Sequence, residues 1–323
     1  MNTVIHSSYG HKMISVAIIG AGPIAEEHIK AFIDIDSVHI AGIYSRTHEK
    51  ANILAQKYSI PHLALSLSEL FEKTKALLVV VAIPIIEVER ISRELVKYEW
   101  DIFFEKPAGL NYKQCLEIAE RINLHKRKVF VGHNRRFFCS TKQIKEDIEK
   151  DSGYRFININ DYQSINTAKS LGYSREVCEN WMYANSIHLI DFFFVFGRSN
   201  IKEINVINQA YKNTARTRVA HIIYENGDAG IYQGVWHGPG PWSVSLCTSN
   251  AFFEMRPLEI ARRKDITSNF FHEYKDSSNK KYKPGFHEQA IEIVKCIQGN
   301  ENCAVTIQES LKTMKLINSI YKA

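Results

Sequence analysis

The chain has 323 residues, 45% hydrophobic and 24% charged, with a formal net charge of +6. At a soft prior of about 150 residues per domain this suggests two domains. The composition is that of a globular protein and excludes disordered, collagen-like and coiled-coil architectures. The mild basic excess lacks the clustered footprint of a nucleic-acid binder, though it would suit an anionic small substrate.

Residues 1–12 are polar and pattern-free and read as a tail. Met13–Ile24 follows Lys12 and could pass for the apolar core of a signal peptide, but its glycine pattern has a better explanation, so secretion is not expected. From residue 13 to about 134, short apolar runs alternate with amphipathic stretches. Ile14–Ile19, Val38–Tyr44, Leu77–Ala82, Ile102–Phe104 and Val129–Val131 read as strands buried on both faces. Ile24–Phe32, Thr47–Tyr58, Val88–Tyr98 and Tyr112–Asn123 read as helices between them. Strict alternation predicts a doubly wound parallel sheet of the Rossmann type.

Residues 135–323 have another rhythm and are assigned to a second domain. A helix (Thr141–Lys150), a strand (Tyr154–Gln163) and an apolar helix (Ala184–Phe196) come first. Successive strands come next at Ile201–Tyr211, Thr217–Tyr224, Ala229–Trp236, Ser243–Thr248 and Ala251–Met255, separated by turn signals. That order predicts an α+β domain on an open mixed or antiparallel sheet. Arg262–Lys283 is polar and Lys-rich and reads as a long surface loop; helices at His287–Ile297 and Gln308–Tyr321 end the chain.

The longest apolar run, Ala76–Ile86, is broken by Pro84 and is far short of the roughly 20 residues of a membrane span. The six cysteines (Cys115, Cys139, Cys178, Cys247, Cys296, Cys303) show neither a C-x-x-C pair nor metal-ligand spacing. Free thiols in a reducing cytoplasm are the simpler reading, with no metal site.

Gly20-Ala21-Gly22-Pro23-Ile24-Ala25 ends the first strand and opens the first helix, the context that a G-x-G-x-x-G/A dinucleotide motif requires. Gly20 permits the tight turn, Gly22 lets backbone amides approach a pyrophosphate, and Pro23 and Ile24 begin the helix that would hold it. The second strand ends Tyr44-Ser45-Arg46-Thr47, without the acidic residue that binds the ribose of NAD. Ser45, Arg46 and Thr47 could instead hold a 2′-phosphate, which favours NADP(H) and leaves NAD(H) open. Glu105-Lys106-Pro107 follows Ile102–Phe104 at the carboxyl edge of the sheet, where such folds bind ligands.

Together these motifs and the α+β second half resemble the Gfo/Idh/MocA family of oxidoreductases, over essentially the whole chain from Ile14. The resemblance implies hydride transfer between NAD(P) and a carbohydrate-like carbon. It puts Lys106 near the nicotinamide and the reacting oxygen, with Pro84, Glu105 and Asn134 along the cofactor. Arg135 and Arg136 come next, able to clamp an anionic or polyhydroxyl substrate. In the segment Trp181–Asp191, His188 and Asp191 match the last two positions of the family's D-x-G-x-H-x-x-D, where the histidine is the acid or base. Spacing of three would let Asp191 orient the imidazole.

Two departures stand out. The family's aspartate and glycine fall on Ala184 and Ser186, so either His188 and Lys106 suffice, or Asn185 or Tyr183 substitutes by hydrogen bonding, or the chain has drifted from dehydrogenase chemistry. The Asn and His frequent after Pro84 are Ile85 and Val88, predicting a more apolar nicotinamide side. Tyr162, Trp236, His237 and Trp242 are aromatic candidates for stacking on a sugar. The expected function is a cytoplasmic NAD(P)-dependent oxidoreductase acting on CH–OH groups of a sugar or nucleotide-linked sugar, with Lys106 and His188 catalytic. Its binding residues would include Arg135, Tyr162, Tyr183, Asn185 and Trp236. Family resemblance also implies a homodimer or homotetramer, with neither nucleic acid nor membrane as partner. The alternatives are a sensor or regulator that binds cofactor without turnover, and a reductase of a non-sugar substrate.

Overall fold

The computed structural model of the chain describes residues 13–207 and 217–322. The tail at 1–12 and the end of the strand expected to reach Tyr211 lie outside them. The chain divides into two compact units. One takes the described residues up to Asn134 together with Asn279–Leu311; the other takes Arg135–Ser278 and the residues from Lys312 onward.

The first part of the chain runs β1 (Ile14–Ile19), α1 (Pro23–Ile33), β2 (Val38–Tyr44), α2 (His48–Lys57), β3 (His62–Ala64), α3 (Leu67–Thr74), β4 (Leu78–Val81), α4 (Ile85–Leu95), β5 (Asp101–Phe104), α5 (Tyr112–Asn123) and β6 (Val129–Val131). The middle part runs α6 (Cys139–Ile148), β7 (Phe156–Gln163), α7 (Ile165–Ser170), α8 (Arg175–Glu179), α9 (Ile187–Ile190), α10 (Phe192–Phe196), β8 (Ile201–Val206), β9 (Thr217–Tyr224), β10 (Ala229–Trp236), β11 (Ser243–Cys247), β12 (Ala251–Met255), β13 (Ala261–Asp265) and β14 (His272–Glu273). Two helices close the chain, α11 (Phe286–Ile297) and α12 (Ile307–Lys322).

In the first unit the strands form one parallel sheet in the order β3-β2-β1-β4-β5-β6. All four residues of β4 are buried, as an interior parallel strand covered on both faces requires. The order reverses beside β1, which is the switch point where doubly wound folds bind ligands. Ala25, Ile29 and Phe32 of α1 share one hydrophobic core with Phe286, Ala290, Ile293 and Val294 of α11. So α11, which sequence reading assigns to the second domain, packs within the first unit. Ser66 caps α3 by accepting from the Glu69 N–H at 3.1 Å, while the Glu69 carboxylate accepts from the Leu65 N–H at 2.8 Å. This is a variant of the capping box in which the carboxylate reaches back one residue beyond the N-cap.

The second unit carries a mixed eight-stranded sheet, β14-β13-β12-β11-β7-β10-β9-β8, in which only β7 and β10 pair in parallel. Burial alternates strictly along β7, β9 and β10, the signature of one packed face and one open face. Ile157, Ile159, Ala220, Ile222 and Tyr232 turn inward, while Asn158, Asn160, Gln233 and Ser245 lie on the partly exposed face. Two expectations are corrected. Arg262–Lys283 is not a plain loop, because β13 and β14 extend the sheet. These edge strands carry no apolar alternation, since their charges are satisfied in pairs: Arg262 with Glu273 at 3.0 Å and Arg263 with Asp147 at 2.7 Å. The helix expected over Ala184–Phe196 is also broken. A π-helical turn at Met182–Ser186 precedes α9 and α10, and the extra residue in that turn rotates both helices about the axis.

β1 ends at Gly20, where φ is +119° and a Cβ would be driven into the Ala82 carbonyl oxygen beyond β4. Both the backbone angle and the close approach demand glycine. Gly20→Ala is therefore expected to lower stability by at least about 2 kcal/mol, measured by urea unfolding.

Candidate active site

In the first unit, α1 starts at Gly22, an N-cap without a side-chain hydrogen bond, followed by Pro23 at the first helical position. A Cβ on Gly22 would meet nothing within 4 Å. The helix thus presents first-turn amides to an open surface, a cradle that fits a dinucleotide pyrophosphate. Ala25 is fully buried beneath it.

At the end of β2 the Ser45 hydroxyl accepts from the Thr47 N–H at 3.3 Å, and Arg46 reaches Glu87 at 2.7 Å with its side chain 60% exposed. Glu87, in the first turn of α4, also pairs with Arg90 at 2.9 Å. The Arg90 hydrogen bond foremost, aided by the charge of Arg46, holds the Glu87 carboxyl below its ordinary range against the opposing effect of burial. Sequence reading found no acid at the end of β2; the fold brings one there from α4. Pro84 is the N-cap of α4 and Ile85 is half-buried. Val88 is only 4% exposed, so it serves the packing of α4.

Beyond β5, Glu105 ties three elements together. Its Oε1 lies 2.8 Å from the Nε2 of His28, a fully buried residue of α1, and its Oε2 accepts the Lys106 N–H at 3.1 Å. At the end of β6, a Cβ on Gly132 would come within 2.9 Å of the same carboxylate. Burial pushes the Glu105 carboxyl up, but the His28 hydrogen bond and the charges of His28 and Lys106 outweigh it and leave the group below its ordinary value. An ionised Glu105 accepts, so His28 donates from Nε2. The imidazole is wedged against Phe103 and Phe286, with ring centroids 5.0 and 4.8 Å away. Sequence reading missed His28. Its position one turn beyond the glycine motif, on the helix face that also buries Ala25 and Phe32, was the available signal.

Asn134 is buried and donates from Nδ2 to the Pro284 carbonyl at 3.0 Å, and His133 lies 2.9 Å from the Ser310 hydroxyl. The amide hydrogens of Asn134 thus serve the first unit's own packing.

In the second unit the two adjacent arginines have different roles. Arg136 forms a fork with Asp191, Nε to Oδ2 at 2.7 Å and a terminal nitrogen to Oδ1 at 2.8 Å, and Thr313 donates to the same Oδ1 at 2.7 Å. The carboxylate expected to orient His188 is thereby held by Arg136 and Thr313. Arg135 instead lies over the Trp242 ring, 5.1 Å from its centroid. His188, half-buried in α9, has its ring 6.2 Å from the same indole. Trp242 donates from Nε1 to the Tyr162 carbonyl at 3.0 Å. Gly240 passes so close over the Tyr162 ring that no side chain fits there. The 238–241 loop is thus seated on β7.

Asn185 and Trp181 both donate to the Gln163 Oε1, at 2.8 and 2.9 Å. Gln163 in turn donates to the fully buried Asp161, which also accepts from Tyr232 at 2.7 Å. Burial holds the Asp161 carboxyl above its ordinary range, and the donors around it do not overcome that. Tyr183 is fully buried with its hydroxyl on Asn318 at 2.9 Å, and Trp236 packs edge-on against Tyr321 in the interior. Ala184 and Ser186 are buried in the π turn. Among the described residues no helix is long and apolar enough to cross a membrane, and no group of three His, Cys, Asp or Glu could hold a metal ion.

The His28–Glu105 pair yields a pH prediction. Because Glu105 is depressed in the folded state, its contribution is present above the unfolded carboxylate value and is lost as pH falls through the folded one. His28→Phe removes the donor and is expected to cost about 1–3 kcal/mol at pH 7. In denaturant titrations at several pH values that deficit should narrow below about pH 4.

Comparison with known proteins agrees with this fold. Residues 14–133 match the oxidoreductase family model Gfo/Idh/MocA, NAD-binding Rossmann fold. The 4-carboxy-2-hydroxymuconate-6-semialdehyde dehydrogenase of Sphingobium sp. is 24% identical over 182 residues, 55% of this chain and 57% of that protein. The chain therefore spans little more than half the length of the curated relative it matches. A dehydrogenase from Chromobacterium violaceum superposes with a TM-score of 0.81 at 17% identity, covering 95% of this chain and 94% of its own. UDP-N-acetylglucosamine 3-dehydrogenase from Acidithiobacillus ferrooxidans superposes with a TM-score of 0.76 at 12% identity, covering 96% and 97%. At these identities the two structures show a common fold. The glycine turn and the parallel sheet agree with the family match: residues 14–133 form an NAD-binding Rossmann domain of the Gfo/Idh/MocA oxidoreductase type.

Proposed function

We propose that the chain transfers a hydride between C4 of a nicotinamide and a secondary carbinol or keto carbon of a sugar or nucleotide-linked sugar. The observation that carries this reading is Lys106, fixed at the carboxyl edge of the parallel sheet because Glu105 accepts its N–H and is itself anchored by His28. A dinucleotide held at the Gly20–Ala25 turn would supply or take up the hydride. Lys106 polarises the reacting oxygen and stabilises the negative charge that develops on it. His188 exchanges the hydroxyl proton at an imidazole nitrogen, since an imidazole titrates near working pH. Arg135 holds an anionic part of the substrate. The aspartate absent at Ala184 has no role to fill if Lys106 and His188 divide the oxygen and the proton between them. An uncharged sugar accepted as readily would favour a simple polyol substrate over a nucleotide-linked one.

For the cofactor, we assign Ser45, Arg46 and Thr47 to the 2′-phosphate of NADP(H). The Arg46–Glu87 pair is solvent-exposed, and such pairs are worth about 0–1 kcal/mol. Arg46 can therefore exchange Glu87 for a phosphate at little cost. Glu87 itself supports a second reading, in which the acid that α4 brings beside Arg46 accepts from the ribose hydroxyl of NAD(H). Fluorescence titration separates the two. Arg46→Ala is expected to weaken NADPH about tenfold, the worth of one charge-assisted hydrogen bond, with NADH within about twofold. A variant that leaves NADPH unaffected establishes the second reading.

The catalytic assignment is checked by steady-state kinetics. Lys106→Met is expected to lower kcat by about 10²–10³-fold and His188→Asn by about 10²–10⁴-fold, with nicotinamide binding retained. Tight cofactor binding with no turnover of any sugar, in the unmodified chain, would mark a sensor instead.

A further inference from the structure

The second unit contains a cavity of about 410 Å³ lined by Arg135, Arg256, Trp242, Leu258, Glu259 and two prolines. Its size lies within the range of small-molecule sites, about 300–1,000 Å³. Two guanidinium-bearing side chains line it, and one is already oriented: Arg135 is held over the Trp242 indole at 5.1 Å and beside Phe138 at 5.9 Å. A guanidinium fixed by aromatic faces keeps its fork in place and is weakly hydrated, which suits bidentate recognition of a phosphoryl group. Arg256 is exposed and Leu258, next to it across Pro257, is buried, so the wall offers a second cation beside an apolar floor. Glu259 opposes a purely polyanionic occupant, and its carboxylate suits hydroxyls flanking the phosphate. The His188 ring approaches the same indole at 6.2 Å, so Trp242 connects the cavity wall to the proposed proton-transfer residue, which does not itself line the cavity.

We propose that this cavity is a subsite for a phosphorylated part of the substrate, with Arg135 and Arg256 on the phosphoryl oxygens, Trp242 as an apolar wall and Glu259 on neighbouring hydroxyls. The assignment rests on the sugar oxidoreductase reading above. The shared chemistry is a phosphoryl group on a polyhydroxylated carbon frame, carried by a nucleoside diphosphate or by a sugar phosphate.

The full chain, in excess NADH so that any nucleotide site of the first unit is filled, is titrated with UDP and separately with glucose 1-phosphate. Calorimetry and tryptophan fluorescence are both read. Saturable binding with a quench is expected, and Arg256→Gln, at an exposed position where folding is not at stake, should weaken it at least tenfold. Trp242→Phe should remove most of the quench while binding heat persists. UDP binding much tighter than glucose 1-phosphate identifies the nucleoside diphosphate as the source; equal binding identifies the sugar phosphate. Absence of binding by both, or binding indifferent to Arg256→Gln, overturns the subsite. Turnover of a phosphorylated sugar with kcat/KM unaltered in Arg256→Gln overturns it too, and leaves the reaction standing. Binding at the arginines without turnover of any phosphorylated sugar supports the subsite and overturns the reaction.

Discussion

A carboxylate only 15% exposed at the end of a parallel strand has to find donors or leave its position, and Glu105 finds them on two sides. His28 reaches it from α1 and the Lys106 amide reaches it from its own turn, while the bare backbone at Gly132 leaves room for it beside β6. The helix whose first turn faces the open glycine cradle therefore also fixes the backbone that carries Lys106. Loss of either donor would leave a half-buried charge underpaired, a more serious disturbance than the loss of one surface contact. The geometry of the first unit's edge depends on that single side chain.

The second unit handles its charges by a parallel logic. Arg136 and Asp191 cancel inside the fold, with Arg136 16% and Asp191 5% exposed, and Thr313 satisfies the carboxylate further. Arg135, one residue earlier, lies over an indole and lines a cavity of the same unit. Behind them, Asp161, Gln163, Tyr232 and Asn185 form a connected polar network in the sheet's packed face. Such a network specifies one arrangement of the π turn against β7.

The parallel half was largely legible because its strands are apolar on both faces and its longer helices periodic, so most elements announced themselves locally. β3 has three residues and α3 eight, too short for periodicity to stand out, although Ser66 and Glu69 spelled the capping box. In the second unit, strands with alternating burial were read correctly, and the charged strand β13 was not, because its stability comes from partners distant in sequence such as Asp147. The π turn was invisible for a related reason: nothing local distinguishes Met182–Ser186 from an ordinary helix. Among the site residues, motif position pointed to the glycines, Lys106 and His188. The contacts of Arg46 with Glu87, of Glu105 with His28 and of Asp191 with Arg136 join elements 41, 77 and 55 residues apart, beyond the reach of any spacing rule.

The division of the chain bears on the order in which it can be made. The first unit borrows Asn279–Leu311, and α11 fills part of its main core, so the ribosome must synthesise all of β7 to β14 before that core can close. The second unit in turn needs residues beyond Lys312, where Tyr321 meets Tyr232 at 2.6 Å. Neither unit can complete itself as an autonomous N-terminal domain would during translation. The nascent sheet waits with one flank of its core uncovered, and long-range closure of this kind slows folding. An expression host with ample chaperone capacity, or slower synthesis at lower temperature, suits a chain built in this order.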